Sequence, residues 1–392
     1  MARIVRRGAF LGGAAALALA GTRRARAAAS LDAPYQSVAT IAVCGPFTGD
    51  ESRLGEQIAN GVRQACDDAN RLHGTLDKVY QMQTFDDQNL LAEAIVSAGF
   101  AIDNPQVLCV VGHLGGQATE AAAKVYNNKG MPLIVPVSTF DRITGDGLTN
   151  VLRISVKDSS EGRLGAKYAL DRYKPKKAVV FYQDGDYGYD VAVGFIQQAE
   201  ADKIGTFDVQ FAYDKPKFDL AAKKGLAAQP DLVFLAGNTA DMGALVGSLR
   251  AQGYSGPLLA SQGFYNTATF KALGSTGDGL VVSSPLPPLE LAPSVFHIRS
   301  DYEQRYGAMS PLAAFGYAAA QVAVAAIHRT GATDRGALLR ALTLPTNYDT
   351  LVGPRQFLPT GDQVDPNVFF YVARGGKWHY DRPAHPSSFI LK

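Results

Sequence analysis

The sequence predicts an α/β protein built from two doubly wound parallel-sheet lobes. Short apolar runs alternate with longer stretches of helical period from residue 38 onward, which is typical of βα units. The same alternation begins again after residue 153, so two Rossmann-like halves follow one another. The length of 392 residues exceeds what one compact core usually holds, and a chain with 47% hydrophobic and 19% charged residues is expected to fold.

The first half is predicted to contain four strands and three helices. The strands are expected at Thr40–Phe47, Tyr80–Phe85, Val107–Gly112 and Leu133–Val137. Apolar residues recur at helical spacing from Leu54 to Leu72 and indicate a helix that ends at Gly74, since glycine is a frequent helix terminator. The other two helices are expected at Leu90–Asn104 and Thr119–Asn128.

The second half repeats this order, and a third group of elements follows it. Its helices are expected at Glu161–Tyr173, Tyr189–Lys203, Asp219–Gln229 and Ala240–Gly253. Its strands are expected at Ala178–Tyr182, Asp208–Tyr213, Leu232–Ala236, Pro257–Ala260 and Leu280–Ser284. The third group has helices at Ser294–Tyr306, Pro311–Thr330 and Asp334–Leu342, then a hairpin formed by Val368–Arg374 and Lys377–Tyr380 around Gly375-Gly376.

Residues 1–29 have the order of a secretory signal peptide. Arginines come first, then an apolar run of about 14 residues, then small residues that permit cleavage after Ala27 or Ala29. The run is shorter than the ~20 residues of a spanning helix, so a permanent anchor is the weaker interpretation. Arg6-Arg7 before Phe10-Leu11 resembles a twin-arginine signal, and an ordinary Sec signal is the alternative. The mature protein is therefore expected in the periplasm.

The charge balance excludes nucleic acid and anionic membranes as partners. Residues 1–29 hold six arginines and no acidic side chain, and the rest has 32 basic against 36 acidic side chains, a net charge of −4. A mildly acidic body without a basic stripe lacks the positive surface that such partners require.

The three cysteines, at positions 44, 66 and 109, allow at most one disulfide in an oxidising compartment. Two of them lie in apolar runs that read as strands. Buried free thiols are the favoured interpretation, because cysteine is among the most buried residue types.

The segments just after the predicted strands should hold the ligand, because ligands of open parallel sheets bind beyond the carboxyl ends of the strands. These segments are rich in glycine, hydroxyl, amide and aromatic groups. Such groups suit the capture of a small solute by hydrogen bonds in a cleft better than they suit catalysis. No cofactor is expected.

A search for catalytic motifs finds none that is recognisable. The six histidines are far apart, with no H-E-x-x-H and no His/Cys cluster at ligand spacing, and neither a G-x-S-x-G nor a complete P-loop motif occurs. His113 follows the third strand and is predicted either to contact the ligand or to be a structural residue. Asp86-Asp87 could be an acid and a base, but capping of the following helix is the favoured interpretation.

The order of motifs resembles the periplasmic leucine/isoleucine/valine-binding proteins, the substrate-binding components of branched-chain amino-acid-type ABC importers. The resemblance runs from about Thr40 to Tyr380. It is carried by Thr40–Gly49 (TIAVCGPFTG), Phe85-Asp86-Asp87, Val110–Leu114 (VVGHL), Leu133–Thr139 (LIVPVST), Leu152-Arg153-Ile154, Tyr187-Gly188 and Gly353-Pro354.

The resemblance implies the type I periplasmic binding protein fold, in which two lobes joined by three crossings close on the ligand in a hinge motion. The crossings would lie near Ile154–Asp158, Ser283–Pro287 and Leu351–Pro354. The first lobe would contain residues 31–155 plus 286–352, and the second lobe residues 156–285 plus 353–392.

The resemblance also implies the ligand-binding positions. With the neighbours that the strand-end argument adds, the predicted ligand-binding residues are Leu54, His113, Leu114, Gly115, Gly116, Gln117, Val137, Ser138, Thr139, Tyr187, Asn238 and Gln262. Phe315 and Tyr317, on a long apolar helix, either reach this cleft or pack that helix on its sheet.

Three of these positions depart from the family pattern. Gly116 stands where amino-acid binders have a hydroxyl, and Asn238 and Gln262 stand where the leucine/isoleucine/valine binders have an aromatic and an acid. An ammonium group in a closed cleft needs a carboxylate or several acceptors, and Asp158 and Asp184 are the candidates to supply the carboxylate. Gly115-Gly116 either leaves room for a bulkier or less polar ligand or holds a carboxylate through its backbone N–H groups.

We therefore expect a monomeric solute-binding protein, not an enzyme, that delivers a small molecule to an ABC permease of the inner membrane. The ligand is expected to be an amino acid, an amide or another small metabolite that is not necessarily a branched-chain amino acid. The alternative is a ligand-sensing receptor of the same fold that acts with a separate membrane partner.

Overall fold

A computed structural model of the chain describes residues 37–73, 78–211, 217–292 and 295–384. All of these residues belong to one compact unit. The predicted signal peptide lies outside the described residues, as do the last eight residues of the second lobe, so the export signal stays a prediction.

The first sheet has five parallel strands, which lie side by side in the spatial order β2-β1-β3-β4-β5. The strands are β1 (Ser37–Gly45), β2 (Lys78–Asp86), β3 (Val107–Gly112), β4 (Leu133–Val135) and β5 (Val151–Arg153). The helices are α1 (Ser52–His73), α2 (Leu91–Asp103) and α3 (Gly116–Asn127).

The second sheet has seven strands in the order β12-β11-β10-β9-β8-β6-β7. They are β6 (Lys177–Gln183), β7 (Gly205–Phe211), β8 (Leu232–Ala236), β9 (Leu258–Ala260), β10 (Val281–Ser284), β11 (Phe369–Arg374) and β12 (Lys377–Pro383). The first five are parallel, and the last two are antiparallel additions at one edge. The intervening helices are α4 (Asp158–Tyr173), α5 (Asp186–Ala201), α6 (Phe218–Leu226), α7 (Thr239–Ala251) and α8 (Ala268–Leu273).

Three further helices, α9 (Phe296–Tyr306), α10 (Pro311–Thr330) and α11 (Arg335–Leu342), follow β10. Side chains of α10 and α11 share one apolar core with β1 and β3, so these helices return to the first sheet. The chain then enters β11 of the second sheet, and it therefore passes between the sheets three times, as predicted. The exact lobe boundaries stay a prediction.

The central strands are apolar throughout because helices cover both faces of each sheet. All six residues of β3 and all five of β8 are buried. Cys44 and Cys109 lie in β1 and β3, Cys66 lies in α1, and all three are buried free thiols. Burial raises the pKa of each to about 12, so they are packing residues rather than reactive thiols.

Helix α10 is long and apolar enough to cross a membrane, and it is the one such helix among the described residues. Most of its side chains are buried inside the protein, where it packs along α1. Its composition therefore reflects a core position.

The main differences from the sequence predictions are short elements and helix starts. The three-residue β5 and the six-residue α8 were not predicted, because runs this short carry little periodicity. Helices α3, α4 and α5 each begin three residues earlier than expected. The predicted β11–β12 hairpin is confirmed, with both Gly375 and Gly376 at positive φ as its tight turn requires.

We predict that Gly61→Ala destabilises the protein. Helices α1 and α10 approach so closely that a Cβ atom on Gly61 would overlap the backbone carbonyl of Ala313. Because backbone cannot move aside cheaply, we expect a loss of about 1–3 kcal/mol in the free energy of unfolding. Chemical denaturation measures it. The control is Gly99→Ala in α2, where no heavy atom lies within 4 Å of the added methyl group. An equal loss in both variants would contradict the account.

Candidate functional site

The order of the strands in each sheet indicates where a ligand would bind. In the first sheet, β1 pairs with β2 on one side and β3 on the other, so successive connections leave in opposite directions. In the second sheet, β6 has the same relation to β7 and β8. The loops after the strands on either side of such a switch point leave a crevice between them, and that crevice is where ligands bind in these sheets.

A cavity of about 250 Å³ lies at these loops, and residues of both halves line it. It is lined by Leu114, Gly116, Gln117, Val137, Ser138, Thr139, Phe140, Asp158, Asp186 and Tyr187. Seven of the twelve predicted ligand residues are therefore together in one cavity.

A second cavity, of about 150 Å³, shares Val137 as a lining residue with the first. Its walls are mainly apolar, and Gln262 is the predicted ligand residue in its lining. It is lined by Val137, Ser155, Gln262, Tyr265, Ser284, Pro285, Leu286, Pro311, Leu312 and Phe315.

The two glycines at the start of α3 do not open space for a bulkier ligand, so that expectation is wrong. A Cβ atom on Gly116 would lie 2.8 Å from the Cβ of Phe140, and the ring of Phe140 fills the space beside it. A Cβ on Gly115 would overlap the side-chain amide of Asn89, whose oxygen accepts a 2.8 Å hydrogen bond from the Gly115 N–H. The glycines allow these two neighbours to pack closely.

The Ser138–Phe140 loop is held by the guanidinium of Arg153, which is fully buried. Arg153 donates from Nη1 to the carbonyl of Phe140 at 2.8 Å and from Nε to Asp362 at 3.0 Å. Its Nη2 donates to the hydroxyl of Thr144 at 2.6 Å. One side chain thus connects β5, the loop after β4 and the segment that precedes β11.

Asp158 is the first residue of α4 and lines the cavity, although it is only 2% exposed. One carboxyl oxygen, Oδ1, has no hydrogen-bond partner, and the hydroxyl of Thr139 contacts the carboxyl group. Burial is the main cause that raises the pKa of Asp158 well above its usual value, and the nearby Glu161 and Asp141 add to it.

Glu161, one turn further along α4, fixes the second lobe's side of the cleft. Its buried carboxylate accepts hydrogen bonds from the backbone N–H of Gln262 at 2.6 Å, from the Gln262 side chain at 3.0 Å and from the Ser283 hydroxyl at 2.5 Å. The Tyr187 hydroxyl accepts from the backbone N–H of Gly263 at 3.2 Å. Burial raises the pKa of Glu161, while these hydrogen bonds lower it.

His113 is not exposed to the cavity, which corrects its prediction as a ligand contact. The ring is 0% exposed, with Nδ1 2.5 Å from Asp87 Oδ2 and Nε2 3.1 Å from the Tyr126 hydroxyl. The Tyr126 hydroxyl in turn donates to Cys44 Sγ at 3.2 Å. Both ring nitrogens are thus engaged inside the first lobe, and the histidine is a structural residue.

Asp86 and Asp87 do not cap α2, so the favoured interpretation of that pair is wrong. Leu90 precedes the helix, and no side chain caps it. Asp86 accepts hydrogen bonds from the backbone N–H of Phe47 and the hydroxyl of Thr48, while Asp87 contacts His113. The pair tethers the loops after β1 and β3.

Four other residues named from the sequence lie apart from the main cavity. Leu54 is half-buried at the start of α1, and Asn238 precedes α7; neither is among the residues that line the two cavities. Phe315 reaches the second cavity. Tyr317, on the same helix, instead donates a 2.8 Å hydrogen bond to Asp68 in the core.

Neither Phe140 and Asp186 as lining residues nor the grouping of Asp158 with two other carboxylates was predicted from the sequence. Asp141, Asp158 and Asp190 each place a carboxyl oxygen within 4.8 Å of the others, and we call them the carboxylate cluster. Its members lie 17 and 32 positions apart in the sequence, so no short motif predicts the cluster. Such a cluster has the donor type to hold a cation. Asp184, the other acid considered, instead accepts from Gln210 on the surface.

A family model described as periplasmic binding protein matches residues 38–377. The chain belongs to the periplasmic binding protein family. Its relatives are solute-binding proteins, and family membership implies a periplasmic location.

Two relatives show how far the family likeness extends. The chain is 28% identical to a Leu/Ile/Val-binding protein of Citrobacter freundii over 248 residues, which is 62% of this chain and 67% of the relative. It is 25% identical to an amino acid binding protein of Pseudomonas aeruginosa over 347 residues, 86% of this chain and 91% of the relative.

Solved structures confirm the predicted fold of two parallel-sheet lobes, of the type I periplasmic binding protein. A leucine binding protein, LivK, from Thermotoga maritima superposes with a TM-score of 0.75 at 23% identity, over 90% of this chain and all of that one. A solute binding protein of R. palustris in complex with benzoate has a TM-score of 0.70 at 21% identity, over 89% of this chain and 97% of that one.

We predict that Asp190→Asn stabilises the ligand-free protein at neutral pH. Burial and the neighbouring Asp141 and Asp186 raise the pKa of Asp190 to about 6, against the opposing effect of Arg142 and Lys157. A raised carboxyl pKa means that the folded state binds the proton more tightly than the unfolded state. Stability is therefore lost as the pH rises from about 4 through about 6.

Unfolding midpoints measured from pH 4 to pH 8 test this. The Asn variant should exceed the parent protein above pH 6, and the difference should vanish near pH 4. Asp184→Asn, which removes the same charge from an exposed position, is the control. A pH-independent difference in the Asp190 variant would show that its carboxyl group is not perturbed by the cluster.

Proposed function

We propose that this protein captures a small solute between its two lobes and delivers it to an ABC permease of the inner membrane. The observation that carries the proposal is the cavity at the two switch points. Both halves of the chain line it, and the lining residues stand at strand ends, where ligands of such sheets bind.

The two sides of the cavity contribute different groups. Leu114, Gln117 and the Val137–Thr139 loop come from the first half, and Asp158 and Tyr187 come from the second. A ligand that contacts both sides is bound better by the closed arrangement of the lobes than by an open one. Ligand binding would therefore shift the hinge toward closure and give the permease a surface to recognise.

The hydroxyl groups of Ser138 and Thr139 and the amide of Gln117 supply hydrogen bonds, and the half-buried ring of Tyr187 covers the ligand. Gln262 contacts the solute from the second cavity. The family's ligand positions at Leu54 and Asn238 would join them only if closure brings those residues to the cleft. We leave His113 out of the ligand set because both of its nitrogens are engaged elsewhere.

We infer that the protein binds without catalysis and acts as a monomer outside the cytoplasm. The relatives are solute-binding proteins, and residues 1–29 have the order of an export signal. Export by either the twin-arginine or the Sec route would bring the mature chain to the periplasm.

A thermal-shift screen tests the function. The purified protein is heated with amino acids, amides, amines, aromatic acids and other small metabolites, and calorimetry follows each hit. A ligand that binds only the folded state adds about 2.7 kcal/mol of stability at a hundredfold excess over its dissociation constant. Saturable one-to-one binding is the expected result. A broad library without a single binder would contradict the proposal.

Two substitutions test the location of the site. Thr139→Ala removes a hydroxyl from one side of the cavity, and Tyr187→Ala removes the aromatic cover from the other. Each should weaken the binding of the best hit by more than about 1 kcal/mol, or roughly fivefold, in calorimetry. Tyr189→Ala, which removes an exposed ring from the same helix, is the matched control. Unchanged affinity in both cavity variants would place the ligand elsewhere.

A further inference from the structure

The main cavity is bordered by more negative than positive charge. The carboxylate cluster of Asp141, Asp158 and Asp190 lies at its edge, and Asp186 lines it as well. Three basic side chains act on the cluster. Lys157 places Nζ 3.9 Å from an oxygen of Asp141 and 3.5 Å from Asp362, so its charge is shared between these two acids. Arg142 acts on Asp190, and the buried Arg153, which is paired with Asp362, acts on Asp141 and Asp158.

Asp158 gives a second observation that points to a ligand at this cluster. The residue is 2% exposed and lines the cavity, and its Oδ1 has no hydrogen-bond partner. A buried carboxyl oxygen without a partner is costly, because it has lost its water without gaining another donor. A cationic donor in the cavity would remove that cost.

The other two members of the cluster differ in how well they are satisfied. Asp141 already accepts hydrogen bonds from the backbone N–H and the hydroxyl of Ser159, at 3.0 and 2.5 Å. Asp190 keeps a pKa raised to about 6, so the groups around it do not offset its charge. Asp158 and Asp190 are therefore the members of the cluster that a bound cation would stabilise most.

The second cavity is mainly apolar. It shares Val137 as a lining residue with the first, and Leu286, Leu312 and Phe315 contribute to its walls. A ligand that spans both cavities would thus carry its charge at one end and an apolar body at the other. A carboxylate at the charged end would instead be repelled by the cluster.

Resting on the proposed function, we propose that the solute is an organic cation with a net positive charge, whose ammonium group binds at the Asp141–Asp158–Asp190 cluster and whose apolar body enters the second cavity. This charge is opposite to that of the benzoate in one structural neighbour. It also differs from the zwitterionic amino acids that the relatives' names specify.

A series of compounds with one carbon skeleton and different charge tests this. 3-Phenylpropylamine and L-phenylalaninol carry a net positive charge at neutral pH, L-phenylalanine is a zwitterion, and 3-phenylpropanoate is an anion. They are measured by thermal shift and calorimetry together with the metabolite library. The cations should bind at least about tenfold more tightly than the zwitterion, and the anion should not bind, because the ammonium group gains a charge-assisted hydrogen bond.

The outcomes separate this inference from the proposed function. If the tightest binders in the series and the library are zwitterions or anions, the inference is overturned and the proposed function stands. If no compound binds, the proposed function itself fails. Binding of Ca²⁺ or Mn²⁺ alone to protein treated with a chelator, at the expense of the cations, would assign the cluster to a metal ion and overturn the inference.

Asp158→Asn is the decisive variant. It should lower the affinity for the best cation at least about tenfold and abolish the preference for cations over the zwitterion. The unfolding midpoint without ligand should not fall, because the variant replaces a buried carboxyl group whose Oδ1 has no hydrogen-bond partner. Asp184→Asn removes an exposed acid outside the cleft and should leave both affinities unchanged. If Asp158→Asn keeps the parent's preference for cations, the cluster does not bind the ammonium group.

Discussion

The buried guanidinium of Arg153 is the interaction on which the cleft depends most. It lies at the end of β5, where the chain first leaves one sheet for the other, and none of its surface is exposed. Burial lowers the pKa of this arginine, while Asp362 is the first of the acids that raise it again. Removing either partner would leave an uncompensated charge, a change that typically costs about 3–5 kcal/mol.

The same region joins the first and third passes of the chain between the sheets. The side chain of Gln363 donates 2.8 Å hydrogen bonds to the carbonyls of Ile154 and Ser155, and Arg355 donates to Ile154 as well. The backbone N–H of Arg153 donates to the carbonyl of Gly361. Two crossing segments are thus held side by side. The Ser138–Phe140 loop is anchored by Arg153 and forms one wall of the cleft.

The charge of the cleft follows from where three helices begin. Asp158 and Asp186 are the first residues of α4 and α5, where a carboxylate is favoured by the helix dipole. The start of α3 carries no acid, and the side chains of Asn89 and Phe140 pack against its two glycines. The acids at these two helix starts therefore lie at the cavity and contribute negative charge to it. Closure over a ligand would remove water from these carboxylates and strengthen their effect.

The fold could be predicted from the sequence because each central strand is a continuous apolar run and each helix keeps its period. The crossings and six of the seven cavity residues followed from the family's motif order, and Gln117 followed from its place after a strand. The sequence could not show that Phe140 fills the space beside Gly116, since packing across a turn leaves no periodic signal. The proximity of Asp141, Asp158 and Asp190 could not be predicted either, because only the folded chain brings α4, α5 and the loop after β4 together. His113 lies at the expected strand end, but its side chain contacts Asp87 inside the lobe.

The central claim is that a small molecule is enclosed between the two halves at the switch points of their sheets. A crystal structure of the protein with its tightest-binding compound tests this claim most directly. The account predicts that the compound lies in the cavity between Thr139 and Tyr187, with contacts to both halves of the chain. A compound bound outside this cleft, for example in the polar cavity beside Arg355 and Asn347, would contradict it.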